Sequence, residues 1–228
     1  MMNFNRFFPL LVLCLGMALA FTAVPRVRAA LNHVPVETGI DKIAQHHSLT
    51  EAEVSALIRK AQKSIELFDH PDYWQDLSEL FYFQAQNQNV FSDAGQTLLR
   101  QSADSAQQSL LRSPANAFLW YKLASIDILL NEQPDKIQKK LRMSIITGPH
   151  DTAFLIPRLR LCLSLLPSFT SDDMALLADQ VVAAWDISHK RFVKAIDSTL
   201  YMDAISALLI NRHPLILQEM VTEFEKTH

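Results

Sequence analysis

The sequence predicts an all-α protein built from antiparallel helix pairs, and three observations carry that prediction. Apolar positions recur at spacings of three and four along most of the chain, as amphipathic helices require, rather than at the spacing of two expected of strands. Only four glycines occur in 228 residues, Gly16, Gly39, Gly95 and Gly148, too few for glycine-rich phosphate loops or arrays of β-turns. Two apolar stretches repeat each other at an offset of 36 residues: Ala117-Phe118-Leu119-Trp120-Tyr121-Lys122-Leu123 and Ala153-Phe154-Leu155-Ile156-Pro157-Arg158-Leu159. Each follows a proline, Pro114 or Pro149, and each ends in a double leucine. A fixed period of this size reads as stacked helix pairs.

The chain opens on a targeting segment. Phe7 to Val24 is an uncharged, mostly apolar run behind Arg6. Pro25 is expected to break its helix, and Val27-Arg28-Ala29 offers small residues where a signal peptidase reads. Residues 1–29 are therefore a signal peptide cleaved after Ala29 or, alternatively, an uncleaved anchor whose 18-residue run lies at the short end of what spans a bilayer. Residues 30–48, with Pro35, Gly39 and His46-His47, read as a polar lead-in to one helical domain over 49–228.

Within that domain Thr50-Glu51-Ala52-Glu53 forms a capping box. The helix behind it lines up Val54, Leu57, Ile58, Ala61, Ile65 and Phe68. Pro71 suits the first position of the next helix, which turns Trp74, Leu77, Ser78 and Phe81 inward. Ser92 caps a helix whose seam of Gly95, Ser102, Ala103 and Ala106 is small enough for close helix approach. Pro114 starts the first repeat copy, and Pro134 opens a helix that Gly148 stops through a left-handed C-cap. The second copy begins or kinks at Pro157. Thr170 to Asp173 caps a helix carrying Leu177, Val181 and Trp185, and a longer one follows through Val193, Ile196, Leu200, Ala204 and Leu208. Pro214 starts the last, so eight or nine helices are expected.

Composition excludes some functions. The formal net charge of −3 offers no broad basic surface for nucleic acid. The eight histidines form no metal signature, and no cofactor motif occurs. Beyond Cys14 only Cys162 remains, so no intramolecular disulfide is available to an exported domain, and Leu159, Leu161, Leu163 and Leu165 around it predict a buried thiol.

Two likenesses add to this reading. Trp74-x-x-Leu77-Ser78-x-x-Phe81 resembles the first-helix signature of tetratricopeptide repeats, and Trp120-x-x-Leu123-Ala124 matches its first three places, with Asp127 where an aromatic belongs. The resemblance implies a TPR-like right-handed array of helix pairs. Ser113-Pro114-Ala115-Asn116-Ala117, Trp120, Leu141-Arg142-Met143-Ser144, Thr147-Gly148-Pro149, Arg158-Leu159, Leu166-Pro167, Gln180 and Ala184-Trp185 resemble small helical proteins encoded in bacterial exopolysaccharide gene clusters, the Vps-type polysaccharide biosynthesis accessory family. That likeness implies a role in polysaccharide production or export and brings no catalytic residues with it.

Three constellations are candidates for function. Residues 132–165 hold six bases against three acids, and Lys136, Lys139, Lys140, Arg142, Arg158 and Arg160 make a patch able to hold an anionic glycan or lipid phosphate. Arg142 and Arg158 have a second reading, as caps of helix ends or partners of buried acids such as Asp127 or Asp151. Tyr121, Ser125 and Ile128 lie on the side of the repeat helix where TPR-like arrays line a groove. Asp69, Asp72, Asp76 and Glu79 place carboxylates at helical spacing. That pattern suits glycoside hydrolysis, but also a solvated helix start. Trp74, Trp120 and Trp185 have faces that stack on sugars, yet each occupies an inward register. The expected protein is an exported, non-catalytic scaffold, periplasmic or anchored in the inner membrane facing the periplasm. It binds a protein partner of a polysaccharide assembly or export system and touches the membrane only through residues 7–24, if these are retained.

Overall fold

A computed structural model describes residues 4–196 and 198–227, with side chains from Leu11 onward. All regular structure among the described residues is helical: eleven α-helices and one 3-10 turn at Leu166–Ser168. The chain divides into two compact units, Met1–Arg112 and Ser113–His228, where a single domain over 49–228 was expected.

The first unit contains α1 (Phe4–Ala44), α2 (Glu51–Leu67), α3 (Pro71–Asn87) and α4 (Asp93–Arg112). Two expectations about α1 are corrected. Pro25 does not end the helix, and residues 30–44 are a packed helical stretch rather than a polar lead-in. A proline removes one backbone hydrogen bond, and contacts to neighbouring helices offset that cost. Here Ala29, His33 and Val36 are buried, and Asn32 Nδ2 donates to Lys60 O at 2.9 Å and Ser64 Oγ at 3.0 Å.

The Thr50–Glu53 capping box is formed in full, and Val36, Val54, Ile58, Ala61, Leu77, Leu80 and Phe81 make the unit's core. The α3–α4 seam is as close as its small residues foretold. Ser102 Oγ donates to Ser78 O at 2.7 Å, whereas Gly95 meets the loop between the helices, where a Cβ would stand 2.2 Å from Asn89 O.

The second unit contains α5 (Ala117–Leu129), α6 (Pro134–Thr147), α7 (Leu155–Ser164), α8 (Ser171–Ile187), α9 (His189–Ala195), α10 (Thr199–Leu209) and α11 (Pro214–Thr227). Asn116, not Pro114, starts α5, its side chain accepting from Leu119 N at 3.1 Å. Thr170 and Asp173 close a capping box on α8.

The count exceeds eight or nine because α1 extends into the fold and the long helix foreseen after Ser188 is two. Ser198 accepts from Tyr201 N at 3.4 Å and so starts α10 afresh. The restart shifts the helical phase: Leu200, expected inward, is 74% exposed, while Met202, Ile205 and Leu209 fill the core. Gly148 also departs from expectation. Its φ is −151°, so it is not a left-handed cap; glycine is needed because a Cβ would meet Ala117 Cβ at 2.5 Å.

Candidate functional site

Helix α5 is apolar on most sides and so must divide its surface between core and neighbours. Leu119, Leu123, Ala124 and Ile126 are buried, which leaves Tyr121 and Ser125 partly exposed. On α7 the alternation is sharper. Leu155, Arg158, Leu159, Cys162 and Leu163 are buried, and Ile156, Pro157, Arg160, Leu161 and Ser164 turn away from that side. Those two outer faces, with Ala195 of α9 and Tyr201 of α10, line a trough of about 390 Å³.

Its walls are aromatic and aliphatic, with one cation. Tyr121 stacks on Phe154, with ring centroids 5.7 Å apart, and the Arg160 guanidinium lies 5.7 Å from the Tyr201 ring centroid. Both serine hydroxyls donate to their own helix, Ser125 to Tyr121 O at 3.1 Å and Ser164 to Leu161 O at 2.8 Å. With their hydrogens so committed, the two hydroxyl oxygens are left as acceptors, and Arg160 supplies the positive charge. Such a surface fits apolar side chains and a carboxylate.

The sequence-derived candidates separate into three groups. Tyr121, Ser125 and Arg160 converge on the trough, whereas Ile128 does not line it; both Tyr121 and Ile128 also pack against the core. Three of the six bases stand beside acids, and a fourth is buried. Lys136 pairs with Glu132 at 2.8 Å, Lys140 with the buried Asp127, and Arg142 Nε with Asp173 Oδ1 at 3.3 Å. Lys139 is exposed on α6.

Arg158, 1% exposed, is a structural residue. Its Nη1 donates to Ser144 O at 2.8 Å and Gly148 O at 3.0 Å, and its Nη2 to Gln180 Oε1 at 2.5 Å. Burial pulls this guanidinium below its ordinary pKa, and the acceptors at the end of α6 compensate. Asp127, which breaks the tetratricopeptide pattern, takes its place as the buried partner of Lys140.

The carboxylates near residue 72 are likewise distributed. Asp69 accepts from Arg112 Nε at 2.5 Å and from Trp74 Nε1 at 2.7 Å; the hydrogen bond from Arg112 holds its carboxyl below the usual range. Asp76 Oδ2 lies 2.8 Å from His33 Nε2, and Asp72 sits exposed in the first turn of α3. No group of three metal-ligating side chains occurs among the described residues.

The tryptophans differ from one another. Trp185 is buried, whereas Trp74 and Trp120 are half-buried and tie down the segments before their helices, Trp120 through Pro114 O at 2.8 Å.

Sequence reasoning missed Tyr201. The only signal was a tyrosine three residues after Ser198, on a helix whose phase depends on a start that the apolar pattern ran straight through. No protein-family model matches the chain, and no curated protein matches its sequence.

Proposed function

We propose that this is an exported, non-catalytic accessory protein of bacterial polysaccharide production or export, which holds a partner protein in the trough of its second unit. The supporting observation is convergence. Tyr121 and Ser125, singled out as groove residues, share one trough with Arg160 and Tyr201. The polysaccharide context comes from the family-like segments between Ser113 and Trp185, and a TPR-like use of paired helices agrees with the trough's position on α5 and α7. Export agrees with the long apolar helix near the start, which is compatible with a signal peptide or an anchor.

The partner is a peptide segment that lays apolar side chains along Ile156, Leu161 and Tyr201 and sets a carboxylate near Arg160. Anionic-glycan or lipid-phosphate binding through residues 136–160 has less to draw on, since Lys136, Lys140 and Arg142 already pair with acids and Arg158 is buried. Glycoside hydrolysis draws least, since Asp69 and Asp76 are engaged with Arg112 and His33.

The test is pull-down from an envelope fraction with wild type, Tyr201→Ala and Arg160→Glu. A stoichiometric component of a polysaccharide assembly system, lost at least tenfold in both variants at unchanged stability, supports the reading. Salt-sensitive glycan binding that survives both variants and no such protein partner would replace it with the glycan reading.

A further inference from the structure

Helix α1 changes character at one residue. Every side chain from Leu11 to Val24 is exposed, including Leu15 at 62% and Phe21 at 83%, and the most apolar window has a mean hydropathy of 1.6. A helix apolar on all sides is satisfied by lipid or by a protein core, and the core of this unit covers none of that window. Its one hydroxyl there, Thr22 Oγ1, donates back to Ala18 O at 3.2 Å and Leu19 O at 3.0 Å, so hydrocarbon meets no unpaired donor. Phe7 to Val24 extends about 27 Å at the helical rise, against a hydrocarbon layer of about 30 Å.

From Pro25 onward the same helix is part of the folded unit. The Arg26 guanidinium lies 4.8 Å from the Phe68 ring centroid, Ala29 is 0% exposed, and Asn32 and His33 follow with their bonds to α2 and α3. Packing therefore begins before the expected cleavage point, Ala29, and runs through it in unbroken helix. Cutting there would remove the Arg26 contact. It would also put a fraying helix terminus within four residues of buried His33.

We propose that α1 is retained as a single membrane span, and that the corner between α2 and α3 seats the first unit on the lipid headgroup layer. The helices' directions place that corner. Antiparallel α2 brings Phe68 beside Arg26, and α4 ends there too: Ser109 Oγ donates to Pro71 O at 2.8 Å, and Arg112 grips Asp69. Arg26 and Arg28, two and four residues past Val24, stand at the depth where long cationic side chains reach lipid headgroup phosphates. The opposite end of the unit, where Asn89 to Ser92 joins α3 to α4, points away from the membrane.

This deepens the membrane association of the proposed function and rests on it, but not on the trough; Tyr201→Ala is expected to leave it unchanged. The experiment uses the full chain in isolated membranes, with Cys14→Ser so that only buried Cys162 remains as background. Intact mass is expected to retain residues 1–29. Phe21→Cys is expected to label with a water-soluble maleimide at least tenfold more slowly than Leu31→Cys, and to match it once the membrane is dissolved in a denaturing detergent. Spin labels at Leu111→Cys, beside the corner, and Phe91→Cys, at the far end, then report the seat. Collisions with a nickel-chelating lipid are expected at least threefold more often at 111. A chain beginning at Ala30, or equal labelling at 21 and 31 in membranes, overturns the span; equal collisions at 111 and 91 overturn the seat.

Discussion

Arg158 on α7 and Gln180 on α8 meet in the interior of the second unit, Nη2 to Oε1 at 2.5 Å, and together they hold the loop that ends α6. Gln180 Nε2 donates to Pro149 O at 3.0 Å, while Arg158 Nη1 takes Ser144 O and Gly148 O. Ser144 Oγ in turn donates to Ala117 O at 2.8 Å, so four helices are bound through one guanidinium. Ser144, Gly148, Pro149, Arg158 and Gln180 thus form one hydrogen-bonded joint.

Arg158→Ala is expected to destabilise the protein by about 3 kcal/mol, because it strands several buried acceptors that a charged donor now serves. Arg158→Lys recovers little, since one ammonium cannot reach acceptors spread across a planar fork. Urea unfolding followed by circular dichroism measures both. A midpoint unchanged in Arg158→Ala would show that the network is not what holds α6 to α8.

Gly148→Ala tests the same joint sterically. The added Cβ would stand 2.5 Å from Ala117 Cβ, and overpacking of this kind costs about 1–3 kcal/mol. Because Gly148 does not have a positive φ, backbone strain makes no contribution, and a neutral Gly148→Ala would contradict the close approach of the α6 end to α5.

Cys162 is expected to be inert. Burial pushes its thiol up to about 12, so almost no thiolate exists at pH 8, and its side chain is 0% exposed. In a Cys14→Ser background, maleimide should label the chain only in denaturant. Labelling of the native protein within minutes would place Cys162 outside the core.

Asp69 sets a pH dependence. Its carboxyl is held below the ordinary range by the hydrogen bond from Arg112, so its contribution is complete above about pH 4 and is lost as pH falls through the lower folded value. The side chain is 53% exposed, and screening limits the contribution to about 0.2–1 kcal/mol. Acid titrations of wild type and Asp69→Asn should converge at low pH and separate above pH 4; curves parallel throughout would remove the pair from the account.

Local chemistry was legible in the sequence and distant chemistry was not. The capping boxes at Thr50 and Thr170 involve four consecutive residues each, so reading them needs no knowledge of the fold. The small seam of α4 and the burial of Cys162 followed from periodicity. Arg158 was half legible: helix capping was one of two readings, but its acceptors come from α6, the Gly148-Pro149 loop and α8, which only packing brings together.

The continuity of α1 through Pro25 was hidden because proline's local cost is visible in the sequence and the contacts that offset it are not. Of the trough, Tyr121 and Ser125 were readable from helical register. Tyr201 was not, because its phase is set by the Ser198 cap rather than by the apolar pattern.

The central claim is that the trough holds a protein partner, and site-specific photocrosslinking in intact cells tests it most directly. A photoreactive residue at position 125, in the trough, is compared with one at Leu215, 76% exposed on α11 of the same unit. The account predicts one discrete adduct from 125 that is absent from 215, abolished by Arg160→Glu, and identified by mass spectrometry as a component of a polysaccharide assembly or export system. The same adducts from both positions, or an adduct from 125 indifferent to Arg160→Glu, would contradict it.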